Sequence, residues 1–163
     1  VHAAALAEPG WTVAAYVSVG GEPGTGPLLD ALAARGVRVL LPVLLADNDL
    51  DWAPYTGREA LAPASRGLLE PTGARLGPEA VCGVRMVLLP GLAVDRRGVR
   101  LGRGGGSYDR VLARLAAAGA APLLATLLYE EELLPRVPGE AHDLPVDAVV
   151  TPSGVHRFGG SAD

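Results

Sequence analysis

The chain contains no lysine; all 14 of its basic residues are arginine. Any mechanism that needs a lysine from this chain is excluded. A GC-rich genome produces the same bias, so the absence alone assigns no function. Aromatic residues make up only 4% of the sequence, so the core must be built from Val, Leu and Ala. The single Cys82 has no partner for an internal disulfide, which fits a reducing compartment and a cytoplasmic protein. No apolar run reaches the roughly 18 residues of a membrane-spanning helix, and no signal peptide is visible. A net charge of −4 argues against nonspecific nucleic-acid binding. A monomer acting on small molecules, without nucleic-acid or membrane partners, is expected.

At 163 residues, 49% of them hydrophobic, the chain suffices for one domain with a substantial core. Apolar, β-branched runs predict strands at 12–19, 37–43, 84–89, 122–129 and 146–150. A helix is expected from Pro27 to Arg35, stopped by Gly36, with Leu28, Leu29, Leu32 and Ala33 on its apolar face. A second is expected over 107–118, burying Val111, Leu112 and Leu115. Leu50 and Trp52 suggest a short edge strand, and residues 130–134 one helical turn. Residues 60–78, broken by prolines and glycines, read as irregular surface structure, and the tail from Ser153 as frayed. Strands alternating with helices indicate an α/β fold, three-layer α/β/α with a mostly parallel, Rossmann-like sheet. Ligands bind such sheets beyond the carboxyl ends of the strands.

One stretch carries a chemical signal: Gly98-Val-Arg-Leu-Gly-Arg-Gly-Gly-Gly-Ser-Tyr-Asp-Arg110. It follows an apolar strand and runs into a helix. Glycines let backbone N–H groups converge, and a helix N-terminus behind them makes an anion cradle. Arg100 and Arg103 add charge suited to phosphate or carboxylate. The loop is neither a Walker A motif nor the dinucleotide fingerprint. Asp109 either complements the helix dipole or binds magnesium beside phosphates, with Asp143 a second carboxylate. His142 is either a loop histidine, the reading a lone histidine without spacing favours, or a further ligand. Glu22 is either a solvated loop acid or a carboxylate that pairs with N–H groups of a heterocycle. Trp52 and Tyr55 either wall the site or pack in the core.

The run Leu89-Pro-Gly-Leu-Ala-Val-Asp-Arg-Arg-Gly-Val-Arg-Leu-Gly-Arg-Gly-Gly-Gly-Ser-Tyr-Asp-Arg110 resembles the signature of the 5-formyltetrahydrofolate cyclo-ligase family. The resemblance extends to Tyr16-Val-Ser-Val-Gly-Gly-Glu-Pro-Gly-Thr25, Leu41-Pro42, Glu70-Pro71 and Asp143-Leu-Pro-Val-Asp147. It implies an ATP- and Mg²⁺-dependent enzyme that converts 5-formyltetrahydrofolate to 5,10-methenyltetrahydrofolate, releasing ADP and phosphate. By resemblance, Arg100, Leu101, Gly102, Arg103, Gly104, Gly105, Gly106, Ser107 and Tyr108 bind ATP. Arg103, Gly104, Gly105, Gly106 and Ser107 also face the folate, Val17 and Glu22 hold its pterin end, Arg103 is catalytic, and Asp109 and Asp143 bind Mg²⁺.

The family pattern also includes an N-terminal helix that places a lysine and an arginine on ATP, which residues 1–163 do not match. A chain that begins late is expected. Ser107 stands where the family usually has the first of two tyrosines, Gly105 where some members carry lysine, and Val94 where phenylalanine is usual. The alternatives are a non-catalytic or repurposed member that binds nucleotide or folate, and, by fold analogy, a protein handling phosphosugars or coenzyme A esters.

Overall fold

The computed structural model describes residues 2–102, 105–138 and 145–158. Its strands and helices in chain order are β1 (Thr12–Ala14), α1 (Gly26–Ala34), β2 (Arg38–Leu44), β3 (Leu50–Pro54), β4 (Leu61–Pro63) and β5 (Leu69–Pro71). There follow β6 (Met86–Leu89), β7 (Ala93–Asp95), β8 (Arg100–Leu101), α2 (Ser107–Ala117), β9 (Leu123–Leu127), β10 (Leu133–Leu134), β11 (Ala148–Thr151) and β12 (Gly154–Arg157).

Seven strands form the central sheet in the order β12-β11-β9-β6-β1-β2-β3. The inner five are parallel, and β3 and β12 close the two edges antiparallel. The inner strands read as near-continuous apolar runs because both faces are covered. Val13, Val39, Leu41, Met86 and Leu88 pack with Leu28, Leu29 and Leu32 of α1. Their neighbours Ala14, Leu40, Val87 and Leu89 pack with Val111, Leu112 and Leu115 of α2 on the opposite face. The period-two alternation of the strands thus splits one apolar run between two cores and yields the three-layer α/β/α fold.

Both helices stop where glycine permits a left-handed turn. Gly36 has φ of 82° and Gly119 of 68°. Val37 N donates to Leu32 O and Ala120 N to Leu115 O, which satisfies carbonyls at each helix end.

The structure corrects three expectations. The first strand is short, Thr12–Ala14 rather than 12–19, because Ser18 and Thr25 exchange hydrogen bonds that fold the later residues into a loop. Residues 60–78 are irregular only in part: β4 and β5 form a two-stranded ribbon, while residues 72–77 belong to no helix or strand. Pro63 and Pro71 sit at strand ends of a ribbon that has two open edges, where a missing N–H is tolerated. The tail is not frayed at Ser153, since β12 pairs with β11 across a tight turn. A further small sheet, β10-β7-β8, branches from the end of β6.

Candidate active site

The strand order reverses between β1 and β6: the chain leaves β1 toward β2 on one side and returns to β6 on the other. Loops leaving two such strands diverge and open a crevice at their carboxyl ends. A cleft of about 250 Å³ lies there.

The loop after β1 contributes Tyr16, Val17, Val19 and Glu22. Ser18 N donates to Thr25 Oγ1 at 2.8 Å, and Thr25 N donates to Ser18 Oγ at 3.1 Å. Thr25 is buried, so this reciprocal pair fixes the loop. Val19 N donates to Glu22 Oε1 at 2.7 Å, which orients the carboxylate in the cleft.

The opposite wall comes from the glycine-rich stretch. Arg100 leaves the small sheet at β8 and turns into the protein, its side chain almost wholly buried. Its Nη1 donates to Pro90 O at 2.8 Å, and its Nη2 lies 3.3 Å from Asp109 Oδ1. Two glycines make room for it. A Cβ on Gly91 would lie 3.1 Å from Arg100 Cγ, and one on Gly102 3.0 Å from Nη1. Gly106 is the N-cap of α2, with φ of 81° and no side chain capping the helix. Gly105, Gly106, Ser107, Tyr108 and Asp109 therefore bring the uncapped N-terminus of α2 to the cleft. The first N–H groups of a helix have no intrahelical partner and favour an anion. Burial pushes the Tyr108 phenol well above its usual range, with Arg100 pulling against it, so Tyr108 stays a neutral donor.

The third wall is apolar. Leu44 and Leu50 come from β2 and β3, and Leu68 and Leu69 from the β4–β5 ribbon. Leu44 N donates to Glu70 Oε2 at 2.8 Å, which ties the ribbon to the sheet.

The structure therefore brings together Val17, Glu22, Arg100, Gly102, Gly105, Gly106, Ser107, Tyr108 and Asp109. Leu101 does not line the cleft; it pairs with Ala93 in the small sheet. Arg103, Gly104, His142 and Asp143 lie outside the described residues. Trp52 and Tyr55 take the core alternative: Trp52 is fully buried, and the Tyr55 hydroxyl donates to Asp30 at 2.7 Å. The aromatic groups of the cleft are instead Tyr16 and Tyr108. Sequence reasoning missed the lining roles of Leu44 and Leu50, at the ends of β2 and β3, and of Leu68, Leu69 and Arg66, whose signal was the pairing potential of residues 61–71. It also gave no role to Asp95. That buried carboxylate accepts from Arg97 N, Val99 N and Val137 N and pairs with the Arg97 guanidinium. It thereby staples the turn that delivers Arg100.

Residues 2–152 match the 5-formyltetrahydrofolate cyclo-ligase family. The 5-formyltetrahydrofolate cyclo-ligase of Mycolicibacterium smegmatis is 45% identical over 150 residues, covering 88% of this chain and 74% of that protein. The cyclo-ligase of Escherichia coli K12 is 34% identical over 149 residues, covering 90% and 81%. Among solved structures, the 5,10-methenyltetrahydrofolate synthetase of Aquifex aeolicus superposes with a TM-score of 0.76 at 30% identity. That match covers 94% of this chain and 74% of the Aquifex protein. These matches set aside the phosphosugar and coenzyme A ester reading. With the family matched over residues 2–152, curated cyclo-ligases 45% and 34% identical over most of the chain, and a shared fold, the chain belongs to the 5-formyltetrahydrofolate cyclo-ligase family.

Proposed function

We propose that this chain catalyses the ATP-dependent ring closure of 5-formyltetrahydrofolate to 5,10-methenyltetrahydrofolate, with ADP and phosphate released. The observation that carries the reading is the meeting, in one cleft at the switch point, of the uncapped α2 N-terminus and the Glu22 loop. One end suits phosphates and the other a hydrogen-bonding heterocycle.

The formyl oxygen attacks the γ-phosphorus of ATP; the bond to the β-phosphate oxygen breaks and ADP leaves. The N5–carbon unit becomes an iminium phosphate. N10 then adds to that carbon and loses its proton, and the C–O bond breaks to release phosphate. Such phosphoryl transfer depends mainly on positioning and charge stabilisation. The α2 N–H groups and Arg103 would stabilise the transferring phosphoryl. Arg100, buried between Gly91 and Gly102, would act as a fixed charge behind them. Glu22, oriented by Val19 N, would hold the pterin N–H groups, with Val17 beside it. The apolar wall would keep water from the iminium phosphate.

Asp109 offers a hard oxygen donor on the cleft lining, strongly exposed and in the first turn of α2. Magnesium takes one or two carboxylates with phosphate and water oxygens, so Asp109 fits a Mg²⁺·ATP site, with Asp143 as the second carboxylate. The ion would neutralise phosphate charge. The chain is proposed to act as a single-domain cytoplasmic monomer, without nucleic-acid or membrane partners. Among the described residues no helix is long and apolar enough to cross a membrane.

Incubating the protein with 5-formyltetrahydrofolate, ATP and Mg²⁺ should generate the methenyl chromophore. No ATP-dependent absorbance change would overturn the assignment. Arg103→Ala is expected to lower kcat about 100-fold, as loss of a transition-state donor does. Chelation of Mg²⁺ should abolish turnover, and Asp109→Asn should raise the Mg²⁺ concentration needed for half-maximal rate.

A further inference from the structure

The turn between β4 and β5 holds an arginine in a backbone conformation that ordinarily belongs to glycine. Arg66 has φ of 60° and ψ of 28°, and Gly67 after it has φ of 72°. The only other non-glycine residue at positive φ among the described residues is Asn48, a type whose short polar side chain eases that conformation. Arginine has no such compensation. A strained residue that persists on a well-held turn points to a use for its side chain.

The turn is well held. Ala64 N donates to Leu68 O at 2.8 Å, Leu68 N donates to Ser65 O at 3.2 Å, and Glu70 anchors β5 to Leu44 N. Arg66 lines the cleft beside Leu68 and Leu69. The carboxylates of the lining already have donors: Glu22 from Val19 N, Glu70 from Leu44 N, and Asp109 from Arg100. Among the described residues no carboxylate pairs with Arg66. The cleft thus presents a cation on the β4–β5 ribbon, next to the apolar Leu68 and Leu69, and on a different element from the phosphate cradle of α2.

The proposed substrate has the matching order of groups: a pterin, then an aromatic p-aminobenzoyl spacer, then a glutamate with two carboxylates. We propose that Arg66 is a specificity-determining residue that receives a glutamate carboxylate of the folate tail while Leu68 and Leu69 pack against the spacer. The inference rests on the functional reading above. An arginine suits this task because its planar fork meets a carboxylate in two parallel hydrogen bonds.

Arg66→Gly removes the side chain and relieves the backbone, so the fold is not at risk. It should raise KM for 5-formyltetrahydrofolate about tenfold, the scale of one charge-assisted contact, and leave KM for ATP and kcat unchanged. Arg66→Lys should fall between. The deciding measurement uses a substrate truncated after the p-aminobenzoyl group. Wild type and Arg66→Gly should bind and turn over that compound equally. An unchanged KM for the full substrate would overturn the assignment, and so would an equal loss on the truncated one. Equilibrium binding of both compounds without ATP separates the two claims. If wild type lacks turnover, the cyclo-ligase reading fails, while a tail-dependent affinity difference still reports on Arg66.

Discussion

Gly106 and Gly91 are both glycines of the site, but for different physical reasons. At Gly106 an added Cβ would meet nothing within 4 Å, yet φ is 81°. Alanine there costs only the left-handed backbone, about 1 kcal/mol. Gly106→Ala should therefore lower the unfolding free energy by about that amount in urea titration. It should also raise KM for ATP, because the first N–H groups of α2 turn with the cap. At Gly91 the backbone is ordinary and the obstacle is Arg100 Cγ at 3.1 Å and Thr126 Cγ2 at 3.3 Å. The first kind of requirement is legible in the sequence, since glycine before a helix start has a local cause. The second is not, because Gly91 and Arg100 meet only once β7 and β8 have folded back. Arg66 was missed for the same reason. Its place on the cleft depends on β4–β5 pairing, which Pro63 and Pro71 disguised as loop.

At the scale of elements, α2 was legible almost to the residue because glycines bracket it and its apolar positions share one face. The strand after residue 12 was not, because Tyr16, Val17 and Val19 are apolar for the sake of the cleft rather than for a strand. Helix α2 is also fixed by ion pairs to its neighbours. Arg114 pairs with Asp49, from the β2–β3 turn, and with Glu79, from the 3-10 turn before β6. Those carboxylates raise its pKa against the opposing effect of burial. One guanidinium therefore joins three segments and sets the tilt of the helix whose N-terminus faces the cleft. The Glu79 carboxylate is largely exposed, so that arm contributes little; the Asp49 arm is better shielded. Arg114→Ala should destabilise the protein by about 1–2 kcal/mol, read from urea denaturation. Arg114→Lys should recover only part, since a single ammonium replaces a fork serving two acids.

For the whole molecule, the fold class followed from five apolar runs alternating with helices, but the strand order did not. That order depends on which side of β1 the returning chain takes, a matter of long-range packing that local periodicity does not record. The same long-range closure sets the acid response. Asp95 on β7 is fully buried and joins β7 to the segment at Val137. Burial alone would raise its pKa, but the Arg97 guanidinium and the N–H groups of Val137, Arg97 and Val99 outweigh it and bring it down to about 2. Because the folded value lies below the unfolded one, the unfolded chain binds the proton more readily. The stabilisation is complete above about pH 4 and is lost as pH falls through about 2. It amounts to about 2 kcal/mol at 1.36 kcal/mol per pKa unit. Asp30, bonded to Tyr55, and Glu130, bonded to Ser153, are shifted in the same direction. Both are exposed, so solvent screens their share. Asp95→Asn should be less stable than wild type at pH 7. The gap measured by urea denaturation should narrow between pH 4 and pH 2, as the wild-type carboxyl takes up its proton. A gap constant across that range would mean that packing, not the charge on Asp95, holds the β7–β8 turn in place.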